Sequence, residues 1–579
     1  MTLSNREIAN IFDSVADMLE LKGEIVHRVL SYRHAADAIR ETPRSLSAMA
    51  EVGELKTIPS IGKTLEEKIQ EMLATGTLQM YENLKAEIPP GLTEILHVSG
   101  VGPKRALRLW KELGIADLGQ LKEAAEAGKL RAMSGMGAKT EQRILEGIEQ
   151  LEKLKTEGRT PLGVALPIAQ SLLDLLMEMP QAVNGSVAGS LRRARPTIGD
   201  IDLLVASDDP QPIIERLGSL ANVARVLWTG PEKTSVELLN GKQVDLLIIP
   251  PDRWGAALHH FTGSQAHNIH FRELALEKGL SLSERGFKRV DTGEEVLVAT
   301  EEEVFALVGM PYIPPEIRED WGEIEAALEN RLPDLITLDD MHADLHMHTT
   351  WSDGTLSIRE MANAALARGR KFIVITDHSR SLGITNGLSI ERLLAHQQEI
   401  RQVDREMGGK IRVFHGTEME ITADGTLDYP DEVLEKLDFV IASLHTGLRQ
   451  PREQVTMRIL NAINNPHVDL IGHPRGQLIP NREPADLDMD AVFQAAKASG
   501  IALEINANPH RLDLEAQYAR RAVEMGIPLS INTDAHRAGE MDLLHYGILT
   551  ARRGWVEPAS VINTWSLERF LEWAQKRGR

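Results

Sequence analysis

The sequence predicts a multidomain chain with an all-α amino-terminal region, an α/β middle and a parallel α/β barrel at the carboxyl end. Three observations carry this expectation. At roughly 150 residues per domain, 579 residues suggest about four domains. Residues 1–155 read as short amphipathic helices broken by Gly and Pro, whereas strand-like apolar runs begin after Ala182, with helix-like segments between them. After residue 340, apolar runs end in polar clusters seven times, at 343–349, 372–378, 413–420, 439–445, 468–473, 501–506 and 527–536. Amphipathic stretches separate them, a pattern that favours a parallel sheet closed into a barrel of about seven strands.

Composition narrows the chemistry. The chain has no cysteine, which excludes disulfides, zinc–cysteine sites, iron–sulfur clusters and thiol nucleophiles; any metal must sit on His, Asp or Glu. A net charge of −21 would repel nucleic acid, but residues 291–340 alone carry −13 of it. That stretch reads as a solvated acidic connector, so overall charge decides nothing. The first twenty residues hold no apolar signal core, and no run of about 18 apolar residues occurs. A soluble, cytoplasmic, monomeric protein without a membrane partner is the expectation.

Three breaks in the helical region resemble one another: Ile58-Pro59-Ser60-Ile61-Gly62-Lys63, Val98-Ser99-Gly100-Val101-Gly102-Pro103-Lys104 and Met133-Ser134-Gly135-Met136-Gly137-Ala138-Lys139. Each follows a helix and opens another. Such turns can expose backbone N–H groups at a helix amino terminus, where a phosphate binds without its sequence being read. Lys63, Lys104 and Lys139 add charge, and residues 101–140 sum to +4. Tight helix–helix packing would demand the same glycines.

In the middle region, Gly189-Ser190-Leu191-Arg192-Arg193 precedes Thr197-Ile198-Gly199-Asp200-Ile201-Asp202. On a strand, Asp200 and Asp202 share one face, and paired Mg²⁺ (or Mn²⁺) ions commonly compensate carboxylates so placed. Asp245, inside an apolar strand pattern, is the natural third acid. Two metals about 4 Å apart suit nucleotidyl transfer, one activating a hydroxyl and the other stabilising the leaving triphosphate. Gly189 lets a backbone approach phosphate, while Ser190 and Arg193 supply a hydroxyl and a guanidinium.

Twelve of the nineteen histidines fall within 341–579. His346 and His348 share a strand face, Asp353 follows, and the later strand ends supply His378, Glu418, His445, His473, Asp534 and His536. Nine mixed N and O ligands can hold two or three Mn²⁺ or Zn²⁺ ions and make hydroxide available for attack on phosphorus.

These residues are identified as members of known patterns. The Gly189-Ser190 and Gly199-Asp200-Ile201-Asp202 elements resemble the palm of family X DNA polymerases. His260-Phe261-Thr262-Gly263-Ser264, with Asn268 and Arg272, resembles that family's nucleotide-binding segment, and the match runs over residues 1–318 to Met310-Pro311-Tyr312-Ile313-Pro314-Pro315. The resemblance implies that Asp200 and Asp202 bind both ions, Asp245 assists the primer 3′-hydroxyl, and Ser190 and Arg193 contact triphosphate. By the same resemblance Phe261 and Gly263 border the sugar, Asn268 meets the minor-groove edge of the base, and Arg272 faces the template. His260 replaces the Tyr of many members, which leaves sugar selectivity open.

The three breaks resemble that family's helix–hairpin–helix elements, the first degenerate because Ser60 replaces the first Gly. DNA contacts are thereby implied for Gly62, Lys63, Gly100, Gly102, Lys104, Gly135, Gly137 and Lys139. Lys68 matches the Schiff-base lysine of deoxyribose-phosphate lyase members, with Tyr32 and Arg28 at neighbouring phosphate positions. A surface lysine paired within Glu66-Glu67-Lys68 is the competing reading. Asp344-Leu345-His346-Met347-His348, Thr376-Asp377-His378-Ser379, Gly472-His473-Pro474 and Asn532-Thr533-Asp534-Ala535-His536 resemble the polymerase-and-histidinol-phosphatase (PHP) domain, a distorted (β/α)7 barrel.

The expected domains are a lyase-like helical domain (1–90), a helix–hairpin–helix domain (91–155), a nucleotidyltransferase palm (156–258) and an α+β nucleotide-binding subdomain (259–318). An acidic linker (319–340) then leads to the PHP domain (341–579). The expected function is gap-filling DNA polymerisation joined to a metal-dependent 3′→5′ exonuclease. Its substrates would be gapped or primer–template DNA and deoxynucleoside triphosphates. Rival readings are a template-independent nucleotidyltransferase with a separate phosphomonoesterase, and a DNA-end scaffold with residual sites.

Overall fold

The computed structural model describes residues 3, 5–42, 44–58, 60–89, 91–96, 98, 101–133, 136–137, 140–142, 144–145, 147–148, 159–479 and 481–576. The chain divides into two compact units, Met1–Arg159 and Thr160–Arg579.

The first unit is helical, and its apolar stripes meet in one core that includes Ile8, Phe12, Leu65, Ile69 and Leu109. Its hairpins repeat one hydrogen-bond pattern. Ile61 N–H donates to Ile58 O, Val101 to Val98 and Met136 to Met133, at 3.1, 2.9 and 3.0 Å. Gly62 and Gly102 then cap the helices Lys63–Thr75 and Pro103–Leu113. Gly137 O accepts from Thr140 and Glu141 in the same way. In the degenerate copy Ser60 takes φ 64°, a value that favours glycine.

The second unit begins with β1 (Thr160–Pro161), β2 (Asn184–Val187), β3 (Thr197–Ile198), β4 (Ile201–Ala206), β5 (Val223–Thr229), β6 (Lys233–Leu238) and β7 (Gln243–Ile249). Five of these form one sheet in the order β2-β4-β7-β6-β5, with β4 and β7 parallel. Residues between β4 and β7 were expected to be helix-like. Only Pro210–Gly218 is helical there, and β5 and β6 form a hairpin. Residues 224–226, 228 and 229 of β5 are exposed on both faces, so no apolar alternation marks the strand. Helices Leu162–Met177 and Pro210–Gly218 bury one face through Ala169, Leu173, Ile213 and Leu217. Part of the other face packs on helix Trp254–Thr262 through Leu204, Ala206 and Ile249. A small sheet of β8 (Leu280–Ser283), β9 (Gly286–Arg289) and β10 (Glu295–Val296) follows.

Seven parallel strands come next: β11 (Ala343–Asp344), β12 (Phe372–Ile375), β13 (Arg412–Glu420), β14 (Phe439–Ser443), β15 (Leu470–Gly472), β16 (Ala502–Asn506) and β17 (Leu529–Asn532). Every run expected from the sequence holds one of them. A parallel bridge between Met347 and Ala535 joins the first strand end to the last. The barrel also completes the core beneath the five-stranded sheet, where Leu512 and Tyr546 are buried with Ala169 and Leu173.

The acidic stretch is solvated only in part. Glu301, Glu319 and Glu323 are buried, at 4%, 8% and 0% exposure. Arg192 and Arg318 pair with Glu301, Arg193 and Arg553 with Glu319, and His267 with Glu323. Basic partners distant in sequence offset the cost of burying these acids.

Candidate functional site

Three sets of groups stand where the sequence placed chemistry. On the five-stranded sheet, Asp202 lies directly opposite Asp245 on the parallel strands β4 and β7. Asp200 sits on the bend before β4, one residue short of the strand expected for it. It is still a neighbour. Burial, with the charges of Asp245 and Asp200, pushes the Asp202 carboxyl up to about 6. Burial acts on Asp245 in the same direction, but hydrogen bonds from Gln243, Ser235 and Lys233 hold its carboxyl below the ordinary value. Lys233 Nζ is 2.9 Å from Asp245 Oδ2. Three carboxylates with one ammonium among them form a group whose surplus charge suits divalent cations.

Gly189 opens the short helix Gly189–Arg192, which also carries the half-buried Ser190, while Gly199 is exposed on the bend. Arg193, expected at the triphosphate, donates to Glu319 Oε1 (3.1 Å) and to the Thr262 carbonyl, so the ground state uses it as a brace. Arg272, expected at the template, donates to His260 Nδ1 at 2.7 Å. Asn268 Nδ2 donates to His260 O at 2.7 Å, while its Oδ1 is buried without a partner. Phe261 stacks edge-on with His260, and Gly263 approaches the Arg193 guanidinium so closely that a Cβ would lie 2.9 Å from Nη1.

At the barrel's carboxyl end all nine expected ligands meet. They form overlapping groups: His348, Asp353, His378 and His536; His346, His348, Glu418 and Asp534; and His378, Glu418 and His445. His473 Nε2 lies 2.9 Å from Glu418 Oε1. Glu418 is central, with Oε2 2.9 Å from His378 Nδ1 and Oε1 3.2 Å from His445 Nε2. His346 Nε2, His348 Nδ1, His378 Nδ1 and Glu418 Oε2 are buried, and although His378 Nδ1 and Glu418 Oε2 lie close, none of the four has the geometry of a hydrogen bond. Groups of this kind are costly unless an ion takes them, so the donor set fits metal. Asp353 and His536 keep 30% and 31% side-chain exposure against 0% for His346 and His348, which gives the cluster one open side. Burial pushes His348 down to about 4, aided by His378 and His536.

Supporting residues went unforeseen. Glu504 Oε1 is 2.8 Å from His346 Nδ1, and Glu420 Oε2 is 2.7 Å from His445 Nδ1, so each fixes a ring by its far nitrogen. A usable signal existed, since Glu420 shares a strand face with Glu418 and Glu504 interrupts an apolar strand.

The hairpin glycines can be judged by what surrounds them. A Cβ at Gly62, Gly102 or Gly137 would meet nothing within 4 Å, so helix packing does not require glycine there. All three are exposed, which leaves their backbones open to close approach. Lys63 is exposed and Lys104 lies in the first turn of its helix; Gly100, Gly135 and Lys139 fall outside the described residues. Lys68 is half-buried on Lys63–Thr75, and Glu66 pairs with Lys56 at 3.1 Å. Arg28 pairs with Glu24, and the Tyr32 hydroxyl faces Met80 Sδ at 3.4 Å.

The chain is 40% identical to the DNA polymerase/3'-5' exonuclease PolX of Bacillus subtilis (strain 168) over 575 residues, covering 98% of this chain and 100% of that protein. It belongs to that family, the family X DNA polymerases with a C-terminal PHP domain. Residues 3–78 match the helix-hairpin-helix domain and 92–150 the SAM-like helix-hairpin-helix tandem. Residues 257–319 match the DNA polymerase beta thumb, and 344–508 the PHP domain. DNA polymerase lambda of Rattus norvegicus is 26% identical over 349 residues, 55% of this chain and 56% of that protein. A Thermoanaerobacter sp. (strain X514) protein named as a probable phosphatase is 30% identical over 233 residues, 38% of this chain and 89% of that protein. Among the described residues, no helix of this family X member is long and apolar enough to cross a membrane.

Proposed function

We propose that the chain fills short DNA gaps with its palm and trims 3′ ends with its PHP barrel. One observation carries the reading: a chain aligned end to end with a polymerase/exonuclease keeps both ligand sets whole, the palm acids together at the amino ends of the parallel pair β4 and β7 and the barrel set at the carboxyl ends of its strands. Asp200, Asp202 and Asp245 would hold two Mg²⁺ or Mn²⁺ ions, and the nine barrel ligands two or three Mn²⁺ or Zn²⁺ ions. Such ions supply Lewis-acid stabilisation of phosphate oxygens and a nucleophilic oxygen at neutral pH.

The chain's own residues do the rest. Asp245 faces the 3′-hydroxyl, with Lys233 and Gln243 fixing its carboxylate by hydrogen bonds of 2.9 Å each. Gly189 and Ser190 border the triphosphate, and Arg193 reaches it by exchanging Glu319 and the Thr262 carbonyl for phosphate. The buried Oδ1 of Asn268 is the unpaired acceptor that a nucleotide can engage. Phe261 and Gly263 border the sugar, and Arg272 the template once it leaves His260. In the barrel, the exposed edges of Asp353 and His536 admit the phosphodiester, while Glu504 and Glu420 orient His346 and His445. The open glycine turns support phosphate contacts at the hairpins.

The test is a labelled primer on a gapped duplex, with Mg²⁺ or Mn²⁺, with and without nucleotides. Asp202→Ala should lose extension by at least ~10²-fold and keep degradation; Glu418→Ala should do the reverse. Near wild-type extension by Asp202→Ala would remove the palm assignment. The 30% identity to a probable phosphatase favours one further reading of the barrel. If wild type releases no nucleotide from any 3′ end but hydrolyses small phosphomonoesters, the barrel is a phosphatase. For Lys68 the lyase reading predicts a borohydride-trapped adduct with 5′-deoxyribose-phosphate DNA, absent in Lys68→Ala. An adduct that survives the substitution would assign another amine.

A further inference from the structure

The palm's carboxylates belong to a row that runs to the edge of the sheet. Asp202 pairs with Asp245, Asp245 with Ser235, and Ser235 with Trp228, across β4, β7, β6 and β5. The register of β5 shifts between Val226 and Trp228, so the strand's alternation resets there, and the pairing with Ser235 puts the Trp228 indole on the carboxylate face. The opposite face is buried by two helices, and the part beyond the carboxylates is covered by Trp254–Thr262. Along the row Asp202 and Asp245 are half-buried and Ser235 is buried, and the row opens to solvent at its end. Trp228 is 53% exposed, and of the chain's eight tryptophans it alone is an exposed residue. Its ring lies against the turn after β5, where a Cβ at Gly230 would come within 2.4 Å of Cη2. A bare glycine beside the ring lets the indole rest on the turn. The residues of β5 and β6 around Trp228 include the polar Lys233, Ser235, Glu237 and Arg225.

We propose that Trp228 is a primer-strand contact of the palm, packing on the sugars of the primer behind its 3′ end. The proposal rests on the polymerase reading, in which the 3′-hydroxyl lies at Asp245. Asp245 and Trp228 are two strand spacings apart, about 10 Å. Stacked nucleotides advance about 3.4 Å each along a strand, so the indole, about three steps back, meets the third or fourth sugar from the end. An indole suits this occupant because deoxyribose offers an apolar C–H edge between phosphates, and a large flat ring buries it without reading sequence. The surrounding polar residues suit the wet phosphate on either side. Trp228 is thus a positioning residue, holding the strand that Asp245 receives.

The experiment compares the full chain with Trp228→Ala and Trp228→Phe on one primer–template. The readouts are the KM for DNA in extension and hydroxyl-radical footprinting of the primer. Trp228→Ala should raise the KM for DNA roughly tenfold and lose sugar protection at the third and fourth nucleotides. Trp228→Phe should recover most of both. Melting temperature and near-ultraviolet circular dichroism report whether the variants fold. Equal KM and an unchanged footprint in a folded Trp228→Ala variant, while wild type extends, would overturn this inference alone. A wild type that extends no primer would overturn the polymerase reading as well. If the free protein sediments as a dimer that Trp228→Ala splits, with DNA affinity unchanged, the occupant is a second copy and the primer contact falls.

Discussion

The backbone of Gly189 passes so close to Asp202 that a Cβ at position 189 would lie 2.1 Å from Asp202 Oδ2. Gly189 also has φ 58°, which disfavours a side chain. Gly189→Ala should therefore displace the carboxylate and lower extension by about 10²-fold, while hydrolysis by the barrel continues. Separate assays of extension and 3′ degradation decide it. Wild-type extension would show that Asp202 can move without loss.

Metal removal should act on stability as well as on rate. The nine barrel ligands come from strand ends far apart in sequence, and several of their atoms are buried without partners. Chelation should lower the melting temperature by the equivalent of about 3 kcal/mol if metal normally stands at roughly 100 times its dissociation constant. Glu418→Ala should shrink that difference. Identical melting with and without chelator would argue that these ligands are loaded weakly or not at all.

The buried Glu301 ties palm to thumb through Arg192 and Arg318, with contacts of 2.6 Å to each. Burial alone would raise its carboxyl, but Arg318 and Arg192 hold it down to about 2. The folded value lies below the unfolded one, so this group stabilises the fold above pH ~4.5 and the contribution is lost as pH falls toward 2. Its size is on the order of 3 kcal/mol. Urea unfolding at pH 7, 4.5 and 3 should show a shallower acid decline in Glu301→Gln than in wild type. Parallel declines would remove the role.

Leu512 joins the two catalytic halves. It is 2% exposed within the palm's core, and its loop sets Pro509 against Gly163 and Arg511 Nε 3.6 Å from Asp534 Oδ2. Leu512→Ala should cost about 2–5 kcal/mol and lower extension and degradation together. A chain ending at residue 340 should melt well below the full chain for the same reason, since it lacks Leu512 and Tyr546. Calorimetry of the full, substituted and shortened chains checks this; equal melting would make the palm core self-sufficient.

Much of the site was legible because its chemistry is local. Asp200 and Asp202 are two residues apart, His346 and His348 share a strand, and each hairpin is one short turn, so residue type and spacing state the arrangement. The seven barrel strands were legible for a related reason: runs buried on both sides are mainly apolar until the polar clusters that end them. β5 was not, because exposure on both faces removes the alternation by which a strand is recognised.

By itself, then, the sequence determined the order of the helix–hairpin–helix, polymerase and PHP segments, and it named the three palm acids and nine barrel residues that the fold brings together. Only the tertiary structure decided which charges meet. Glu301 and Glu319 looked solvated because their partners Arg192, Arg193 and Arg553 are more than a hundred residues away. Lys233 beside Asp245, Glu504 behind His346 and Trp228 at the end of the carboxylate row follow from strand register, not from spacing along the chain. The physical reason is that an ion pair depends on distance through space, while spacing along a sequence limits that distance only within one turn or one strand.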